Sequence, residues 1–79
     1  MNDNTILCKL KEAMFMESEA MTRTAREFGH ADTWGDALSQ RLQGIITAAI
    51  HLDVSKEDRD ELVRLMNRLN KRFDEDSVY

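Results

Sequence analysis

The residues between Trp34 and Leu52 constrain the fold of this chain more than any other stretch. Wound at 3.6 residues per turn, Leu38, Leu42, Ile45 and Ala49 make a central apolar row. Ile46 and Ile50 widen it on one side; Trp34, Ala48 and Leu52 widen it on the other. The arc then spans roughly two thirds of the circumference, against roughly 100° for an ordinary surface helix. Gln40, Gln43, Thr47 and His51 form its polar edge, and none of them is a firm charge at neutral pH. A helix of this kind is expected to be covered from two sides.

The cover has to come from a chain of 79 residues, one small domain at most. A hydrophobic content of 42% suits a folded domain rather than a disordered tail. There is no proline. Runs of Ala, Leu, Met, Glu, Lys and Arg favour helix, and no alternating β-branched run suggests a strand. The prediction is therefore all-α: helices over about 5–28, 34–52 and 56–73, then an acidic tail over 74–79. The second and third helices form an antiparallel hairpin, the long N-terminal helix packs beside it, and self-association completes this small three-helix bundle. No repeat or low-complexity segment divides the chain.

Local signals set the ends. Asp3, Asn4 or Thr5 can cap the first helix and Gly29 can end it in the left-handed conformation. Asp32 or Thr33 is the expected cap of the second helix, and Ser55, with Asp58 three residues on, that of the third. Gly44, inside the second helix, costs roughly 1 kcal/mol relative to alanine. Its expected reason is close approach of another helix, in this chain or a second copy.

In the first helix Leu7, Leu10, Met14, Met21 and Phe28 share one face. The run Ala13-Met14-Phe15-Met16 breaks that pattern, because four successive residues at 100° steps cannot all face one core. Phe15 points about 120° from the stripe and Met16 nearly opposite to it. Cys8 shares the flank of Phe15, and Arg23 lies near Met16. An apolar anchor beside an arginine is the composition of an interface centre. The candidate protein interface is thus Cys8, Phe15, Met16, Arg23 and Gly44.

The third helix carries Leu62, Leu65, Met66, Leu69 and Phe73 on one face, acids in its first turns, and Arg64, Arg68, Lys71 and Arg72 further on. Pairs such as Asp60 with Arg64 would suit its dipole and make a solvated, salt-paired face. The same basic cluster is the alternative site, a contact for nucleic acid. A helix-turn-helix would instead present Glu57, Asp58, Asp60 and Glu61 to the major groove, where phosphates repel them.

Chemistry is otherwise sparse. Glu27 and His30 have the three-residue spacing of helical metal ligands, but Gly29 interrupts them and no further inward carboxylates accompany them. Cys8 reads as a half-buried structural thiol, and there is no glycine-rich phosphate loop. No metal, cofactor or enzymatic activity is expected. The net charge of −4 disfavours indiscriminate binding to nucleic acid or anionic membranes. One cysteine, no apolar run of membrane-spanning length and no signal-peptide pattern point to the cytoplasm. Small, acidic, cysteine-poor helical compositions are common among accessory factors of bacteria and their phages. The expected function is that of a small non-catalytic regulator, inhibitor or adaptor. It would be a homodimer that docks an apolar helical surface on a partner protein. The alternative is a small DNA-binding transcriptional regulator using the basic end of the third helix.

Overall fold

The ends of the helices show how the sequence writes the fold. The computed structural model describes residues 4–29 and 32–76. Three helices account for nearly all of them: α1 (Asn4–Phe28), α2 (Asp32–His51) and α3 (Lys56–Asp76). Gly29 stops α1 at φ 87°, as a left-handed glycine should. The Trp34 indole Nε1 then donates to the Gly29 carbonyl at 3.1 Å, pinning the start of α2 to the end of α1. Residues 30–31 lie outside the described part, and with them His30 of the Glu27–His30 pair and any cap of α2 that precedes Asp32.

α2 ends in a Schellman motif that the sequence disguises. Val54 N–H donates to the Ala49 carbonyl at 3.1 Å, and Asp53 N–H to that of Ile50 at 3.1 Å. Asp53 holds the left-handed position at φ 57°, where glycine is the usual occupant. Val54 is buried close to the fully enclosed Ala49, the apolar contact that accompanies this motif. Ser55 then caps α3, its Oγ accepting from the Asp58 amide at 3.2 Å. The hairpin connection therefore spends only Leu52 to Ser55 between two helices.

The helices pack pairwise, each against both others, in an elongated bundle of 44 × 17 × 16 Å. Met14, Leu38, Leu42 and Leu62 are fully enclosed, one from α1, two from α2 and one from α3. Leu7, Met21, Ala25, Ala49, Leu65, Leu69 and Phe73 extend the core along the axis. All of this is the predicted all-α three-helix architecture.

Four expectations about its details fail, each for a geometric reason. First, α2 is not enclosed over its whole apolar arc: Ile45 and Ile46 are half-buried, whereas Ile50 and Leu52 are about half exposed. Two neighbours cover only the strip centred on Leu38, Leu42 and Ala49, and the arc is interrupted by Arg41, which bonds Glu17 of α1 at 3.0 Å. Second, Phe28, on the last turn of α1, is 72% exposed, and Ala25 takes the core position instead. Third, Gly44 is not a close-approach glycine within this chain. A Cβ built on it meets nothing within 4 Å, whereas one on Gly35 would lie 3.6 Å from Asp74 Oδ1 and 3.9 Å from the Phe73 ring. Fourth, α3 continues through Asp76, so the first acids of the presumed tail are helical. Residues 77–79 lie outside the described part.

The exposure of Gly44 has a measurable consequence. Alanine there meets no obstacle and restores helix propensity worth about 1 kcal/mol. Gly44→Ala is expected to raise the melting temperature, followed by circular dichroism, by about 4–8 °C. A lowered midpoint would mean that a second copy packs on this glycine.

Candidate functional site

α1 and α3 leave a shallow groove between them, and Phe15 stands in its middle. Phe15 falls off the core stripe of α1 because it follows the enclosed Met14 by one 100° step. It is 47% exposed and lines two open depressions, of about 350 and 280 Å³. The larger one lies toward the C-terminal end of α1. Ser18, Glu19, Thr22, Arg23 and Arg26 form its α1 wall, and Leu69, Arg72 and Phe73 its α3 wall. The smaller lies between Lys11 and Phe15 of α1 and Glu61, Arg64, Leu65 and Arg68 of α3. The Thr22 hydroxyl already donates to the Ser18 carbonyl at 2.8 Å, so Thr22 offers an oriented oxygen, and the donors of the α1 wall are Arg23 and Arg26.

The charge along the groove is strongly one-sided. Lys11 Nζ and Glu61 Oε2 pair at 2.6 Å and so neutralise each other at one end. Five arginines remain, Arg23, Arg26, Arg64, Arg68 and Arg72, all exposed, against the single carboxylate of Glu19. Among the described residues none of the five is ion-paired. The expected Asp60–Arg64 pair is not formed; Asp60 instead faces Lys56 at 3.7 Å. The expectation of a salt-paired α3 face is thereby corrected, because the acids cluster one or two turns ahead of the arginines and pair among their own turns or across to α1.

The structure brings together two candidate sets that the sequence kept apart. Phe15 and Arg23 of the apolar interface share one depression with Arg72 of the basic patch, and Phe15 shares the other with Arg64 and Arg68. Met16 is 62% exposed and Cys8 is also exposed, so the thiol is not the half-buried structural group expected. Neither lines the groove, nor does Lys71. Gly44 belongs to α2 and takes no part. The sequence reading missed Arg26, which lies three residues after Arg23 and 20° from the Phe15 direction, and Lys11, one turn before Phe15. Helical spacing from Phe15 rather than from the core stripe finds both.

The Lys11–Glu61 pair has a titration signature. The Lys11 hydrogen bond holds the Glu61 carboxyl below its ordinary value; partial burial opposes this, and the charges of Lys11 and Arg64 add to it. A carboxylate whose folded pKa is depressed contributes stability above its unfolded pKa and loses it as pH falls through the folded one. Lys11→Met is expected to move the Glu61 titration upward in carbon-detected NMR and to shrink the loss of melting temperature on acidification. An unmoved titration would mean that Arg64 alone sets it.

Among the described residues no helix is long and apolar enough to cross a membrane. The chain matches no protein-family model, and no curated protein or solved structure matches it.

Proposed function

We propose that this protein is a small non-catalytic docking module, a regulator, inhibitor or adaptor that binds another protein along the α1–α3 groove. The observation that carries the reading is Phe15. It is a large aromatic held half out of the core between two depressions, flanked by arginines. Aromatic and arginine side chains are the groups over-represented where binding energy concentrates. A fixed helix presents them with no backbone left to order on binding. We propose also that it works in the cytoplasm, where a lone exposed thiol such as Cys8 stays reduced.

Self-association is part of the proposal. Ile50 and Leu52, near the α2–α3 turn, and Phe28, at the far end of α1, remain exposed, and a second copy could cover one of these ends. Sedimentation at micromolar concentration is expected to give more than 9.2 kDa. A monomer throughout that range would remove the homodimer and leave the docking function.

A photo-crosslinking side chain at Met16 tests the docking itself. It is exposed and beside Phe15, and is expected to capture a defined partner that the same group at Gln43, exposed on α2 away from the groove, does not. Equal capture from both positions would remove this face from consideration. The DNA-binding alternative has one observation in its favour, the gathering of Arg64, Arg68 and Arg72 beside Arg23 and Arg26. It requires salt-dependent binding to generic duplex DNA that falls away when these arginines are removed.

A further inference from the structure

Three arginines in a row at four-residue spacing make a poor design for a helix that has only to fold. Arg64, Arg68 and Arg72 follow one another at i, i+4 and i+8 along the groove side of α3, and like charges so placed repel. Arg23 and Arg26 face Arg72 from α1 across the larger depression. Each is exposed, and among the described residues none is ion-paired. What the row lacks is a paired counter-charge: Glu61, which lines the same depression as Arg64 and Arg68, is taken by Lys11.

We propose that the groove receives an acidic helical segment of another protein, its carboxylates on the arginine row and an apolar side chain against Phe15. The inference rests on the docking reading above and names the chemistry of the partner. Residues four apart on a helix rise about 6 Å, so carboxylates at i, i+4 and i+8 on the segment meet the arginines in register. Each guanidinium can take a carboxylate through two parallel hydrogen bonds. The α1 wall from Lys11 to Arg26 is about 22 Å long, room for a segment of about 15 residues.

Charge at the two ends favours such a segment over nucleic acid. Glu57 and Glu75 stand 18 residues apart, about five full turns, and so lie on the same side of α3 as Arg64 and Arg68, one beyond each end of the row. A duplex carries phosphates at every step and would run them past both glutamates. A short acidic segment ends between them.

The test is selection from a display library of random peptides of about 16 residues, about 24 Å as a helix, at about 150 mM salt. The bait is the full chain, and the control bait is the full chain with Arg64→Ala, Arg68→Ala and Arg72→Ala. Alanine keeps the helix and removes the repulsion, so the control folds at least as well. The expected result is enrichment of peptides with a clear excess of Asp and Glu around one large apolar residue. Their affinity is expected to fall by more than about tenfold with the triple variant and again with Phe15→Ala. Enriched peptides without acidic excess, losing affinity only with Phe15→Ala, would overturn the acidic partner and keep the docking surface. No enrichment, or binding indifferent to both variants, would overturn both. Tighter, arginine-dependent binding of a duplex of about 20 base pairs would transfer the groove to nucleic acid.

Discussion

Leu42→Ala is expected to leave much of the protein unfolded near its working temperature. Leu42 is fully enclosed in the middle of α2, between neighbours contributed by both other helices. Removing three carbons from such a site costs about 2–5 kcal/mol, the lost transfer energy plus that of the cavity. A chain of this length is stable by only about 4–12 kcal/mol at ordinary per-residue values. The melting temperature should therefore fall by more than about 10 °C, with the helical signal at 25 °C reduced in the less stable case. Ile50→Ala is the matched control. It lies on the same helix two turns on and is about half exposed, so its cost should stay within about 0.5 kcal/mol. If the two variants melt alike, the enclosed strip of α2 is not where Leu38, Leu42 and Ala49 put it.

That contrast also marks how far the sequence could be read. Three helices, their order and the row Leu38–Leu42–Ala49 were legible because helical periodicity and turn residues agree over long stretches. The width of the buried strip was not, since composition cannot say how much of an apolar arc two neighbours will cover. Arg41 sits within the arc in the sequence itself, but the Glu17 of α1 that pairs with it there is visible only in the fold. Asp53 hid the left-handed end of α2, where the usual glycine signal is absent and the hydrogen bonds alone reveal it. Gly44 and Gly35 show the same limit from the other side. Both are glycines within one helix, and only packing decides which of them faces a neighbour.

The candidate site was legible in pieces. Phe15 stood out through a violated stripe, and the arginines through their run along α3. Their meeting in one groove depends on the rotation of α1 against α3, which no local pattern encodes. It also depends on a pair, Lys11 with Glu61, whose partners lie 50 residues apart in the chain. Long-range pairing of that kind converts two modest sequence anomalies into one surface with a sign and a length.

Phe15→Ala combined with Met16→Ala is expected to weaken partner binding by about 2 kcal/mol or more, close to a 30-fold rise in Kd. The two side chains are unequal in what else they do. Met16 is 62% exposed and touches neither depression, so its loss should leave stability unchanged within about 0.5 kcal/mol. Phe15 is 47% exposed, and its buried half lies where the two depressions meet, one shared with Leu65 and the other with Leu69, so some loss of stability, about 1–2 kcal/mol, belongs to it alone. Affinity and melting temperature therefore have to be read on the same samples, with each single variant beside the double. A docking surface requires affinity to fall further than the folded fraction does, and Met16→Ala to contribute without any shift in melting. Full affinity with a lowered melting point would make Phe15 a structural cover for the seam. The docking would then have to rest on the basic side of α3, at Arg64, Arg68 and Lys71, where removal of charge rather than of apolar area is the discriminating change.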